Sequence, residues 1–570
     1  MKNNPTTLSL RLHDFVLFAI MGILAGCGLI YEYLLSDYAG RVLGAIEQVI
    51  FAMIGIMIVS MGIGAFAARI FKSCFNTFAW LEVSIAFIGA SSVLFLAATT
   101  ALANLFPQIL METFSLPPDL IPRGGMIIWA NDIASVMPYV AGFTLGFLIG
   151  MEIPLIANIR EEVYGEHLRH NTGSIYGVDY IGAGIGAAIW VLFMLRLPPT
   201  VAAVITASAN LSVGLLFYVV YRKRIRFGIP LVAAHVLVGI IIAVIAINGT
   251  TWDNAMEDLL YKDKVIFSYN SKYQHVTITE RIMDPTKPKI ISMFINGRSQ
   301  FASNDEKIYH SMLVTPVMQA SARHNNILII GGGDGLALRE VLLWHPKSVD
   351  LIDIDKTIVD FFTYPYFKNG KQINKRLLEL NQHSFSDPRV HTHFGDAFVK
   401  VDKLIREGRL YDSIIVDLPD PSHPNLNKLY SARFYGKLKT LLTGDGALVV
   451  QSTSPYSAKN TFLCIGKTVQ YAGFMHVEQY HHNVPSFGEW GWTIATKNGL
   501  SARARIAQKD KLDVDNGWST RAVILAAFDF NEHFFDHLDS IKVNRINNQA
   551  AYEYHLADWE KQQGIYVVGQ

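Results

Sequence analysis

The sequence predicts two architectures in one chain: an all-α bundle crossing a membrane about seven times, then a small antiparallel sheet leading into a doubly wound α/β domain. Three observations predict it. Charge is partitioned: of 49 Lys and Arg and 48 Asp and Glu in 570 residues, only 26 precede Thr250, leaving 71 for the 321 residues that follow. Apolar runs of membrane length fill the first part. In the second, strand-like and helix-like apolar periods alternate, the signature of a sheet with helices packed on it. The expected domains are residues 1–250 (membrane helices), 251–322 (small β-sheet domain), 323–500 (α/β domain) and 501–570 (a C-terminal helical extension).

A net charge of +1 gives no electrostatic reason to bind nucleic acid, and 51% hydrophobic residues exclude a disordered chain. Only Cys27, Cys74 and Cys464 occur, so neither a disulfide framework nor a cysteine-rich metal site is available, and no histidine spacing suggests a metal.

A span needs about 20 mostly apolar residues. Seven stretches qualify: Phe15 to Leu35, Gly44 to Ala68, Trp80 to Leu102, Ile133 to Ile156, Ser174 to Leu195, Val201 to Tyr221 and Phe227 to Ile247. The first lacks a cleavage site and is read as a true span, not a signal peptide. Glu32, Glu47, Glu82, Asp132, Glu152 and Asp179 fall inside or at the ends of these spans. Two readings stand: acids near helix ends, reached by water, or a cation or polyamine site at Glu152 and Asp179. Gly182, Gly184, Gly186, Ala187 and Ala188 suit close helix packing in the fifth span.

Loop charges set an orientation. The N-terminus and even loops carry Lys2, Arg11, Arg69, Lys72, Arg160, Arg169, Arg222, Lys223, Arg224 and Arg226, against Arg41, Arg123 and Arg196 in the odd loops. The positive-inside rule then places the N-terminus in the cytoplasm and, after seven spans, the soluble half outside.

From Trp252 to Phe301, short alternating runs broken at Asp284-Pro285 and Asn296-Gly297 predict the antiparallel sheet. Beyond it, Asn326–Ile330 reads as a buried strand, Gly331-Gly-Gly-Asp-Gly335 as a tight turn and Leu336 to Trp344 as the start of a helix. Further strands are expected at Val349–Ile354, Val390–Phe394, Tyr411–Asp417 and Ala447–Gln451. Ligands of such sheets bind beyond the carboxyl ends of the strands. Those ends are acidic: Asp334, Asp353 with Asp355, Asp396, and Asp417 with Asp420. Phosphate sites want amides and cations, so this edge suits a cationic ligand instead. Asp353, about 20 residues past the glycine turn, is placed to accept hydrogen bonds from a ribose.

In order along the chain stand Tyr273-Gln-His-Val, Asn296-Gly-Arg-Ser-Gln300, Asp305-Glu-Lys-Ile-Tyr-His310, Ile330-Gly-Gly-Gly-Asp-Gly335, Asp353-Ile-Asp355, Gly395-Asp-Ala397, Tyr411 to Asp417, Asp420-Pro421, Leu429-Tyr-Ser and Gln451-Ser-Thr-Ser-Pro455. With this series the chain resembles the spermidine synthase (polyamine aminopropyltransferase) family, in its long, multi-pass bacterial form. The resemblance implies a Rossmann-like (class I methyltransferase-like) domain. It also implies transfer of an aminopropyl group from decarboxylated S-adenosylmethionine, a co-substrate and not a resident cofactor, to putrescine, giving spermidine and methylthioadenosine. By the same resemblance Gln274, Asp353, Asp396, Ala397 and Pro424 hold the nucleoside. His310 and Asp334 contact the polyamine or aminopropyl chain, Asp417 is the general base, and Tyr309 and Asp420 flank the attacking amine. No metal is implied. A homodimer or tetramer is.

The sequence departs from the family at Leu418-Pro419, where two small polar residues are usual, at Phe487, where a tyrosine is usual, and at Asp353, where glutamate is usual. The first two bear on the amine acceptor. Three functions remain to be separated: the aminopropyltransferase, a membrane polyamine transporter or sensor with a non-catalytic synthase-like domain, and an S-adenosylmethionine methyltransferase. Cytosolic substrates place the catalytic half of an inner-membrane enzyme in the cytoplasm, opposite to the loop charges.

Overall fold

The computed structural model describes residues 7–43, 46–114, 125–165, 171–261, 263–271, 273–368 and 370–562. Lys2, Gly44, Arg123 and Arg169, and the side chains of Arg41 and Glu47, lie outside the described residues. The chain divides into two compact units, Met1–Thr279 and Glu280–Gln570.

In the first unit the helices are α1 (Thr7–Leu43), α2 (Ile46–Ala67), α3 (Cys74–Thr113), α4 (Met126–Gly150), α5 (Glu152–Tyr164), α6 (Asn171–Leu192), α7 (Pro199–Tyr221) and α8 (Gly228–Tyr261). By length and composition, seven helical stretches among the described residues could cross a membrane, each overlapping one expected from the sequence. The fourth is broken at Met151 into α4 and α5.

Small residues let these helices touch backbone to backbone. A Cβ on Gly182 would lie 2.1 Å from the carbonyl oxygen of Gly22, and one on Gly186 2.5 Å from that of Gly26. Both helices thus present glycines four residues apart, the spacing that stacks small residues on one face. Gly184 points elsewhere and meets nothing within 4 Å. Valine at position 182 is therefore expected to cost at least about 3 kcal/mol, read as a lower melting temperature of the detergent-solubilised chain, whereas Gly184→Ala is expected to leave it unchanged.

The acids of the bundle separate. Glu32, Glu82 and Glu152 are buried, Asp179 is half-buried and Asp132 is exposed. Water at helix ends therefore accounts for Asp132 and does not account for Glu82 or Glu152. The unit closes with strands β1 (Lys264–Asn270) and β2 (His275–Arg281), neighbours in one sheet.

The second unit opens with the hairpin of β3 (Ile290–Ile295) and β4 (Arg298–Ala302). Its two turn residues, Asn296 and Gly297, both have positive φ, at 49° and 79°, which is what a turn compatible with strand twist requires. Helix α9 (Glu306–Ala320) leads into β5 (Asn326–Gly331), α10 (Leu336–Leu342), β6 (Ser348–Asp353) and α11 (Lys356–Phe361). A small hairpin, β7 (Phe367–Lys368) and β8 (Lys371–Gln372), and α12 (Lys375–Leu380) precede β9 (Val390–Phe394), α13 (Ala397–Arg406) and β10 (Tyr411–Asp417). Then come α14 (Pro424–Asn427), α15 (Ala432–Leu441), β11 (Leu442–Gln451), α16 (Lys459–Tyr471), β12 (His476–Val484) and β13 (Gly488–Thr496).

Seven strands form the main sheet in the order β12-β13-β11-β10-β5-β6-β9. Strands β11, β10, β5, β6 and β9 run parallel. Leu328 and Ile330 face a core shared with α13, α15 and α16, while Ile327 and Ile329 face one shared with α9 and α10. Burial on both faces explains why β5 reads as one apolar run without alternation. The doubly wound reading is refined at one edge: β13 is antiparallel to β11, and β12 to β13, so the sheet is mixed. The last stretch, residues 501–562, carries α17 (Ala502–Ala507), α18 (Arg521–Ala526) and α19 (Ala550–Gln562).

Candidate active site

Strand order reverses between β5 and β10, and there a crevice opens at the carboxyl ends of a doubly wound sheet. The glycine turn fits this place. Gly331 has φ +84°, a Cβ on it would stand 1.9 Å from the carbonyl oxygen of Asp417, and the Gly332 amide donates to that oxygen at 3.2 Å. Asp417 ends β10 in register with Gly331. Its Oδ1 accepts a hydrogen bond from the Tyr309 hydroxyl at 2.8 Å, brought in by α9. Removal from bulk water pushes the Asp417 carboxyl up to about 6, with the charge of Asp334 adding to this and His310 and the Tyr309 hydroxyl opposing it.

Asp334 follows the third glycine and accepts from the Leu336 amide at 2.9 Å, capping the turn into α10. Desolvation raises its carboxyl above the usual range, against the pull of His310. His310 sits one residue along α9 from Tyr309, with Nδ1 2.7 Å from the Glu306 carbonyl and 3.0 Å from Glu306 Oε2. Burial alone would lower its imidazole, but Glu306, Asp334 and Asp417 together raise it. Behind it, Arg339 grips Glu306 with two bonds of 2.8 and 3.0 Å and also donates to Glu340 at 2.9 Å. Burial works against ionised Glu306, yet His310 and Arg339 hold its carboxyl down at about 2. His310, Glu306, Arg339 and Glu340 thus form an ion-paired cluster behind the site, and His310 pulls the carboxyls of Asp334 and Asp417 down against their burial.

On the other side of the glycine turn, Asp353 ends β6. A Cβ on Gly333 would come 2.7 Å from Asp353 Oδ2, so the third glycine leaves room for this carboxylate. Its Oδ1 accepts from the Asp355 amide at 2.7 Å. Desolvation raises Asp353 to about 7, reinforced by Asp355 and Asp334 and opposed by the amide bonds. Asp355 caps α11 through the Thr357 amide at 3.0 Å, a structural task. Next along the sheet, the Gly395 amide donates to the Asp353 carbonyl at 2.9 Å. Asp396 then caps α13 with Oδ1 (Phe398 amide, 2.9 Å), while Oδ2 pairs with Lys428, and Ala397 is buried as the first residue of that helix.

Asp420 is anchored from β11. Gln451 Nε2 donates to its Oδ1 at 2.9 Å and Thr453 Oγ1 to its Oδ2 at 3.2 Å. Thr453 holds φ +61°, a left-handed backbone that costs a β-branched residue of order 1–3 kcal/mol and collects at functional sites. Gln451 Oε1 accepts the Thr453 amide at 2.8 Å and stabilises this bend. Leu418 and Pro419 turn their carbonyls to the Tyr430 hydroxyl and Gln451, so the departure from small polar residues leaves the loop pinned by its backbone. Pro424 occupies the first position of α14, where its missing N–H is no loss. Phe487 packs edge-on against Tyr309 with ring centroids 5.7 Å apart.

Nine of the ten residues expected at the site therefore belong to the second unit. Tyr309, His310, Asp334, Asp353 and Asp417 gather around the glycine turn, Asp396 and Ala397 follow β9, and Asp420 and Pro424 lie in the segment after β10. Gln274 lies in the first unit, in a turn where its amide donates to Ser271 Oγ at 3.1 Å. Sequence reading missed Glu306, Arg339, Gln451 and Thr453. For Glu306 the signal was its spacing of four from His310. Among the described residues no group of three or more His, Cys, Asp or Glu could hold a metal ion.

The fold is thus a mixed α/β sheet with a run of carboxylates at the switch point of its carboxyl edge. The spermine/spermidine synthase domain family matches residues 306–506. A polyamine aminopropyltransferase of Shewanella oneidensis is 50% identical over 97% of this chain and 96% of its own. Another, from Streptomyces coelicolor, is 33% identical over 89% and 88%. A solved spermidine synthase in complex with the transition state analogue AdoDATO superposes at a TM-score of 0.42 with 23% identity, covering 48% of this chain and 88% of that chain. The chain belongs to the polyamine aminopropyltransferase family and is an enzyme of the spermidine synthase type. A purely transporting or sensing protein is not favoured by these relatives.

Proposed function

We propose that the enzyme transfers the aminopropyl group of decarboxylated S-adenosylmethionine to putrescine, with Asp417 as the general base. The observation that carries this is the set of five carboxylates, Asp334, Asp353, Asp396, Asp417 and Asp420, ranged along one sheet edge with a tyrosine hydroxyl fixed on Asp417. A sulfonium donor with an ammonium tail and a diamine acceptor bring several positive charges, which such an edge neutralises. In this reading Asp353 holds the ribose, and Asp396, Ala397 and Pro424 hold the adenine end; Gln274 is assigned to the nucleoside by the family resemblance alone. Asp334 and His310 guide the aminopropyl chain, and Tyr309 and Asp420 position the attacking amine.

An alkylammonium with a pKa near 10.4 must lose a proton before its nitrogen can attack carbon. Asp417 takes that proton and frees the nitrogen lone pair, which forms the C–N bond as the C–S bond breaks, and the sulfonium leaves as neutral methylthioadenosine. Raising the Asp417 carboxyl to about 6 increases its proton affinity on the order of a hundredfold over an ordinary aspartate. The sign of the pH dependence follows: a raised carboxyl is a base only above its own value. Accordingly kcat/KM is expected to fall about tenfold per unit below pH 6, measured as methylthioadenosine release in a pH series. Mass spectrometry of the amine product tests the reaction itself; gain of a methyl group in place of an aminopropyl group refutes it.

We place the seven apolar helices in the cell membrane and the catalytic unit in the cytoplasm, where both substrates arise. The apolar length of the helices supports the first statement and the chemistry of the substrates the second. A reporter active only in the cytoplasm, fused after Gln570, tests the orientation; silence overturns it.

A further inference from the structure

Between α11 and α12 the chain makes an excursion that the transfer reaction does not use. Residues 364–368 are all exposed, and β7 turns at Gly370, with φ +74°, into β8. Three large aromatic side chains stand out here: Tyr364, Tyr366 and Phe367 are 63%, 43% and 64% exposed. Apolar residues scattered singly over a surface need no explanation, but aromatics gathered on one projecting tip mark a contact with something else.

The base of the tip is built to hold it out. Asn374, fully buried, donates from Nδ2 to the Phe361 carbonyl at 2.6 Å and the Tyr364 carbonyl at 2.8 Å, and its Oδ1 accepts the Tyr366 amide at 2.8 Å. The Ile373 amide closes the hairpin on the Tyr366 carbonyl at 3.0 Å, and the Phe361 ring lies 5.5 Å from that of Tyr366. At the foot of the excursion, Asn381 Nδ2 donates to the Phe362 carbonyl at 2.9 Å and the Asp334 carbonyl at 3.0 Å, which fixes it to the glycine turn.

Charge narrows the partner. Residues 364–376 hold Lys368, Lys371, Lys375 and Arg376 and no acid, in a chain whose net charge is +1. Lys375 has Glu379 at 3.8 Å. Lys368 and Lys371 stand directly opposite each other across the hairpin, both exposed, a like-charge pair that weakens a hairpin until an anion lies over it. Aromatic rings beside lysines match the headgroup layer of a bilayer, where rings settle among the headgroups and lysines meet anionic lipid. The seven apolar helices of the same chain would keep such a surface at high effective concentration, so a few side chains suffice for contact.

We propose that the β7–β8 hairpin, through Tyr364, Tyr366, Phe367, Lys368 and Lys371, docks the catalytic unit on an anionic lipid surface. This rests on the placement of the apolar helices in a membrane.

The test uses the full chain in nanodiscs of phosphatidylcholine with phosphatidylglycerol. Gln372 faces Phe367 across the hairpin, and Gln372→Cys carries a thiol-reactive fluorophore there; Cys27, Cys74 and Cys464 are buried and do not compete. A nitroxide on the lipid headgroup is expected to quench this fluorophore at least threefold. Absence of quenching overturns the proposal, and so does equal quenching in discs of phosphatidylcholine alone. Tyr366→Ser with Phe367→Ser, added to the labelled chain, is expected to abolish quenching while methylthioadenosine release stays within twofold of the labelled parent, a sign that the catalytic unit is still folded. Retained quenching in that variant overturns the proposal. Emission that shifts with the number of chains per disc and not with the nitroxide assigns the hairpin to a second copy of the chain, and overturns it too. A chain that stays out of the discs, seen by size-exclusion chromatography, refutes the membrane placement and the proposal with it, whereas a chain that enters unquenched refutes the proposal alone.

Discussion

Asp417→Asn is expected to slow turnover by a factor of about 10² to 10⁴ while methylthioadenosine binding, read by calorimetry, changes less than twofold. The substitution keeps the shape of the side chain and can still accept from Tyr309, so the fold of the crevice is retained. It removes the carboxylate that accepts from that hydroxyl and can take a proton from an amine. Nucleoside contacts assigned to Asp353 and Asp396 lie on the other side of the glycine turn and are untouched. A variant turning over within threefold of the wild type would show that another group accepts the proton. Asp420, already engaged by Gln451 and Thr453, would be the next to examine.

Arg339→Met is expected to produce the largest loss of stability. Its guanidinium lies under the site with 5% exposure and serves Glu306 and Glu340, which are 4% and 1% exposed. Removing the cation strands two carboxylates in a dry setting, a change that costs about 3–5 kcal/mol and roughly 10 °C in melting temperature. Lys307 still reaches Glu340 at 2.6 Å, so most of the damage falls on Glu306. A pH series gives a second reading. Glu306, normally 4.5, is held at about 2 in the folded chain. Its depressed value contributes stability that is complete above about pH 4.5 and is lost as pH falls toward 2. Without Arg339 the depression shrinks, and the variant loses less on acidification although it starts lower. Thermal melting between pH 3 and 7 measures both effects.

Much of the fold was legible because its strands obey simple rules. Four of the five parallel strands run into a glycine or an aspartate at the edge where ligands bind. Asp417 and Asp353 could therefore be placed from pattern alone. Strand β11 was located only from Ala447, because Leu442-Thr-Gly-Asp-Gly446 carries turn residues that look like its loop. The reversed direction of β13 was invisible, since nothing in an apolar period records which way a strand runs. Arg339 and Glu306 escaped for a different reason: charged residues are expected outside, and only the fold shows that they neutralise one another inside. Thr453 is the sharpest case, because a β-branched residue is the last that propensity assigns to a left-handed backbone. In the helical unit the number of apolar stretches could be counted, but the break at Met151 and the burial of Glu82 could not.

The edge hairpin also bears on how the protein behaves in solution. An exposed terminal strand offers unpaired amides and carbonyls to any other strand, including the same one in a neighbouring molecule. Here the final segment of the chain covers that edge: the His481 amide of β12 donates to the Ala527 carbonyl at 3.0 Å. Glu478 receives the Ser501 hydroxyl at 3.0 Å and the Arg503 amide at 2.9 Å. Residues 501–562 thus occupy places that another strand would take, and a version shortened to end at β13 is expected to keep its acids in place yet aggregate through β12.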